Sequence, residues 1–116
     1  MNVTIWHNPS CSKSRQTLNL LRENGIDPGI RLYLKNPPSR GELEQVQAQL
    51  GLAAIEFTRT GEQAFKDAGL SKTSSDAAIF AAMATHPKLI ERPIVVVDGK
   101  AAIGRPPESV LSLLDR

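Results

Sequence analysis

The chain has 116 residues, 41% hydrophobic and 22% charged, with a formal net charge of +2. That length suits one domain spanning residues 1–116 with a modest core, and the charge is too small to argue for nucleic acid or an anionic membrane as partner. No apolar run approaches the roughly 18 residues of a spanning helix, and the start lacks a signal peptide's basic residues and long apolar stretch, so the cytoplasm is the expected compartment.

In chain order, Val3 to Trp6 reads as a strand, and Asn8, Pro9 and Ser10 as a turn. A helix is expected from about Ser12 to Asn24, with Leu18 and Leu21 on its apolar side and Gly25 to end it. Asp27-Pro28-Gly29 is a turn, and Ile30 to Leu34 a second strand. Strand–helix–strand at this length predicts a parallel pair with a right-handed crossover. Pro37-Pro38 breaks the chain, and Ser39-Arg40-Gly41-Glu42 matches a capping box opening a helix through Leu43, Val46 and Leu50. Residues 52 to 90 read as broken helix, interrupted at Gly61 and Gly69, with a fresh N-cap around Ser74, Ser75 and Asp76. Ile79, Phe80 and Met83 are expected in the core. Pro93 to Val97 is the most strand-like run; Asp98-Gly99 signals a tight hairpin, and Lys100 to Ile103 returns as its partner. Pro106-Pro107-Glu108 suits a final helix start, with Val110, Leu111 and Leu114 as the buried side.

The one cysteine, Cys11, falls at the first strand-to-helix junction. A thiol there meets unpaired backbone N–H groups and the positive end of the helix dipole, which favour thiolate and also suit an anion. His7, Lys13 and Arg15 push the same way if they point inward. Cys11 reads either as a small buried hydrophobe, as many free cysteines do, or as a nucleophile; its polar, basic flanks favour the second. A lone thiol excludes an internal disulfide and suits a reducing compartment.

The βαβ unit, inserted helical segment, ββ hairpin and C-terminal helix follow the order of the thioredoxin-like α/β fold. That fold implies a redox cysteine at the Cys11 position and a cis proline at Pro93, before the hairpin's first strand. The string His7-Asn8-Pro9-Ser10-Cys11-Ser12-Lys13-Ser14-Arg15 resembles the opening of the glutaredoxin-linked arsenate reductases, the ArsC type. Leu34-Lys35-Asn36-Pro37-Pro38, Glu91-Arg92-Pro93-Ile94-Val95-Val96 and Gly104-Arg105-Pro106-Pro107-Glu108 resemble that family's later signatures, and Phe57-Thr58-Arg59 falls where it places another arginine. One departure stands out: plasmid-type members typically carry Gly-Thr after the nucleophile, where this chain has Ser12-Lys13.

The resemblance implies reduction of arsenate(V) to arsenite(III) by way of a Cys11 thiolate–arsenic adduct. Glutathione is the implied co-substrate and glutaredoxin the implied partner, with no bound cofactor and no metal. It casts His7 as the residue tuning the thiol, and Arg59, Arg92 and Arg105 as an oxyanion clamp. Arginine suits that task, since a tetrahedral oxyanion favours planar, bidentate donors. Ser14 and Arg15 are further candidates for the anion site, although Ser14 equally suits capping the turn and Arg15 a helix face. His7 and Arg59 have plainer readings as a turn residue and a solvated charge.

Two other functions fit the same fold. One is a monothiol oxidoreductase acting on glutathione mixed disulfides, with Cys11-Ser12-Lys13-Ser14 as a CxxS site. The other is a regulator of the Spx type that binds RNA polymerase. Redox-sensing members of that type usually carry a second cysteine three residues on, and here that position is Ser14.

Overall fold

A computed structural model describes residues 1–114. Its residues gather into two compact units, one formed by Met1–Tyr33 with the chain from Arg92 onward, the other by Leu34–Glu91.

The first unit is built on a four-stranded sheet. Strand β1 (Val3–Trp6) pairs in parallel with β2 (Gly29–Arg31), and antiparallel with β3 (Ile94–Val97), which returns through a hairpin to β4 (Lys100–Ile103). The spatial order is β2-β1-β3-β4. Successive side chains on a strand face opposite ways, so Val3 and Ile5 share a face with their partners Val97 and Val95. Helix α1 (Ser12–Glu23) brings Leu18 and Leu21 to that face, and the segment Pro107–Leu114 adds Val110 and Leu114, closing one apolar core. The hairpin turn is made by Asp98 (φ 46°) and Gly99 (φ 88°), the left-handed pair that matches strand twist.

Helix α1 ends on a Schellman arrangement. Gly25, at φ 77°, donates to the Arg22 carbonyl at 3.0 Å, and Ile26 N–H reaches Leu21 O at 2.9 Å while its side chain packs on the core. The last helical residue is Glu23, with Asn24 as the cap.

Two expectations need correction. The second strand stops at Arg31 instead of reaching Leu34. Among the described residues its partner is β1, which ends at Trp6, opposite Arg31, so the ladder stops there. Tyr33, though extended in propensity, is instead buried in a turn. The C-terminal segment is also not an α-helix but 3₁₀ over Pro107–Leu114. Pro106 and Pro107 have no N–H, and the opening bond runs from Ser109 N to Pro106 O, three residues back. Val110 and Leu114 are buried there as expected, whereas Leu111 is exposed.

The second unit is helical. Helix α2 (Arg40–Leu50) opens on a complete capping box: Ser39 Oγ accepts from Glu42 N at 3.2 Å, and Glu42 Oε1 accepts from Ser39 N at 3.0 Å. Helix α3 (Gln63–Asp67) is short, and α4 (Asp76–Thr85) is capped by Ser75, whose Oγ accepts from Ala78 N. Short 3₁₀ turns occupy Ala54–Phe57 and Pro87–Leu89. Leu43, Val46, Phe57, Ile79, Phe80 and Met83 are buried, with the Phe57 and Phe80 rings 6.2 Å apart. No helix among the described residues is long and apolar enough to cross a membrane.

Strand–helix–strand, inserted helices, then an antiparallel hairpin and a closing helical segment make this a thioredoxin-like fold.

Candidate active site

The loop after β1 is folded by its own side chains. Asn8 Oδ1 accepts from Ser10 N at 3.0 Å, and Asn8 O accepts from Cys11 N at 3.0 Å, turning the chain so that Cys11 becomes the N-cap residue of α1. Arg15, on the exposed side of α1, donates from Nη1 to Pro9 O at 2.8 Å and so ties the loop to the helix. Cys11 is buried at 9% relative exposure.

The thiol sits between opposing influences. Burial acts to raise its pKa, because a thiolate loses hydration there. Against this stand the backbone N–H of Ser14, the hydrogen bond and positive charge of Arg92, and the backbone N–H of Lys13. Together these outweigh burial and hold the thiol below its ordinary value. The first turn of α1 therefore acts through aimed N–H groups, as expected at a helix start.

Two arginines converge on the sulfur from the loops flanking the β3–β4 hairpin. Arg105 Nη2 donates to Cys11 Sγ at 3.6 Å, while its Nε donates to the Arg92 carbonyl at 2.8 Å. Arg92 acts on the same thiol, its donor and its positive charge both lowering the Cys11 pKa. Each precedes a proline, and both peptide bonds, Arg92–Pro93 and Arg105–Pro106, are cis. Pro93 itself is buried where β3 begins.

His7 is placed differently from a cation beside the thiol. Its Nδ1 lies 2.6 Å from Ser14 Oγ, which also accepts from Asn8 N at 3.0 Å. Burial lowers the His7 pKa, and the charges of Arg22 and Arg15 lower it further. These influences favour the uncharged ring, and with Nδ1 as acceptor one Ser14 hydroxyl can serve both neighbours. Ser14 stands between His7 and Cys11, its Oγ beside the ring and its backbone N–H lowering the Cys11 pKa. Arg22 lies near the far end of α1, and its effect on the ring has no local sequence signal.

Arg59 belongs to the second unit, where it is ion-paired with Glu62 and has Glu91 Oε1 3.9 Å from its Nε. Lys13 is half-buried and contributes to the thiol by its backbone, not by its ammonium. Thr17, which sequence reading passed over, and Gly104, quoted there only as part of the Gly104–Glu108 string, also border this region. Thr17 Oγ1 donates to Lys13 O at 2.8 Å, and Gly104 N donates to Pro93 O at 2.9 Å. The available signal for Gly104 was its place beside Arg105. Among the described residues, no group of three His, Cys, Asp or Glu is arranged to hold a metal ion.

Comparison with known proteins adds three findings. A model of the ArsC family matches residues 6–113. The arsenate reductase of Haemophilus influenzae is 47% identical over 116 residues, covering 98% of this chain and 100% of the relative; the Escherichia coli K12 protein YfgD, itself uncharacterized, is 50% identical over 97% of this chain and 96% of its own length. Among solved structures, the arsenate reductase from Vibrio cholerae superposes with a TM-score of 0.94 at 52% identity, covering 97% of this chain and 98% of that one.

Proposed function

The chain belongs to the ArsC family, and on that premise we propose that it is an arsenate reductase whose nucleophile is Cys11, with residues 1–116 acting as one catalytic domain. The observation that carries this reading is the convergence of Arg92 and Arg105 on a cysteine sulfur held at a helix N-terminus. A thiolate flanked by two guanidiniums suits attack on a tetrahedral oxyanion, since the same donors that stabilise the thiolate meet the anion's oxygens.

The Cys11 thiolate attacks arsenic(V), an As–O bond breaks, and the oxygen leaves as water after protonation. Glutathione thiolate displaces a second oxygen in the same way. The two sulfurs then join as a Cys11–glutathione disulfide, their electron pair passes to arsenic, and arsenite(III) departs. A further thiol, supplied by glutaredoxin, exchanges with that disulfide and returns Cys11 as thiolate.

In this reading Arg92 and Arg105 bind the oxyanion, and the N–H groups of Ser14 and Lys13 hold the thiolate. His7, Ser14 and Arg15 act as positioning residues: they fix the loop from Asn8 to Cys11 and do not carry the proton or the charge themselves. Arg59 enters through the family pattern alone, and its guanidinium already faces Glu62 and Glu91.

The test is a coupled assay of NADPH oxidation with glutathione, glutathione reductase and glutaredoxin, run with and without arsenate. Arsenate-dependent oxidation that disappears in Cys11→Ser supports the proposal. Turnover of a glutathione mixed disulfide at Cys11, with none of arsenate, would replace it by the monothiol oxidoreductase.

A further inference from the structure

Gly104 lies between the last strand and Arg105, and its conformation does not call for glycine. Space does. A Cβ at this position would stand 2.5 Å from Thr17 Oγ1, 2.8 Å from Pro93 Cγ and 3.1 Å from Thr17 Cγ2. The first two distances are closer than real Cβ atoms come, so the backbone of Gly104 is pressed directly into a notch between helix α1 and the proline that follows Arg92.

Each wall of that notch leads to a part of the thiol site. Thr17 is fully buried on α1, and its Oγ1 donates to Lys13 O, in the same first turn whose N–H groups face the sulfur. Pro93 follows Arg92, and its carbonyl accepts from Gly104 N at 2.9 Å. Gly104 precedes Arg105, which reaches both Cys11 Sγ and the Arg92 carbonyl. The helix that carries the cysteine and the two loops that carry the arginines therefore all meet at this contact, without a side chain on Gly104 to soften it.

We propose that the Thr17–Gly104–Pro93 contact sets the spacing between the Cys11 sulfur and the guanidiniums of Arg92 and Arg105, making Thr17 and Gly104 positioning residues of the site. It extends the reductase reading by naming what holds its donors in register. Forced apart by a methyl group, α1 and the Arg105 loop lose the short reach from Nη2 to the sulfur, and hydrogen bonds of that kind fall away steeply with distance and angle. Preorganised sites are sensitive to displacements of this size.

The experiment compares Gly104→Ala, Thr17→Ala and the double variant by urea unfolding and by the pH dependence of Cys11 alkylation with iodoacetamide. Gly104→Ala is expected to raise the alkylation midpoint by roughly half to one unit, about three- to tenfold less thiolate at a pH below it. In the double variant the side chain at position 17 lacks Oγ1 and Cγ2, two of the three atoms that crowd the new methyl, while Pro93 Cγ remains, so the midpoint returns part of the way toward the Thr17→Ala value. Thr17→Ala adds no bulk and is read by itself if Gly104→Ala fails to fold; it is expected to raise the midpoint by a smaller amount. Variants that lose urea resistance but alkylate with the parent midpoint would overturn the proposal, leaving the contact as packing alone. Alkylation involves no arsenate, so a failure of arsenate turnover in the parent protein would count against the reductase reading without deciding this one.

Discussion

Arg105 makes two bonds with different purposes: Nε to the Arg92 carbonyl at 2.8 Å and Nη2 to Cys11 Sγ at 3.6 Å. One guanidinium thus braces the loop of the other while facing the Cys11 sulfur. A lysine cannot do both, because it presents a single ammonium without the planar fork.

Arg105→Lys and Arg92→Lys are accordingly expected to keep the charge and lose the geometry. The loss of one contact to a charged group costs about 1.5–3 kcal/mol, or roughly ten- to a hundredfold in arsenate kcat/KM. Steady-state kinetics with arsenate provide the check. Unchanged kcat/KM in both variants would remove the oxyanion clamp from the proposed function.

The Cys11 thiol is expected to alkylate with a midpoint below the ordinary cysteine value, since the N–H of Ser14, Arg92 and the N–H of Lys13 together outweigh burial. Mass spectrometry of iodoacetamide labelling across pH measures it. Arg92→Ala removes a hydrogen bond and a charge and should move the midpoint upward. A parent midpoint at or above that of free cysteine would mean that burial dominates.

His7 supplies a pH-dependent contribution of opposite origin. Its folded-state pKa is lowered, so the unfolded chain takes up the proton more readily than the native one. Stability is therefore expected to be retained above the ordinary histidine range and to decline as pH falls through it toward the lowered folded value. Urea unfolding of the parent and of His7→Gln, at neutral and mildly acidic pH, tests this. The parent should lose more stability on acidification than the variant; equal losses would show that His7 is not the responsible group.

Ser39→Ala removes one half of the capping box that opens α2. The expected cost is about 1 kcal/mol, seen as a lower urea midpoint. Neither the alkylation midpoint of Cys11 nor its dependence on Arg92 should change, because Ser39 bonds only within its own helix start.

Much of this protein was legible as local pattern. The short apolar run Val3–Trp6, the β-branched run Ile94–Val97, the Asp98-Gly99 turn, the Ser39 to Glu42 box and the Gly25 stop all appear where residue chemistry puts them, because each depends on neighbours a few positions apart. The placement of Cys11 at the start of α1 was readable for the same reason. What only the tertiary structure decided lies in longer-range terms. The second strand is short because its partner runs out, and the His7 pKa is lowered because folding buries the ring and brings Arg22 and Arg15 to bear. Arg92 and Arg105 stand far along the chain from Cys11, yet the β3–β4 hairpin delivers both to its sulfur. No local pattern expresses such an encounter, since it is set by sheet pairing and by the fit of Gly104 between Thr17 and Pro93.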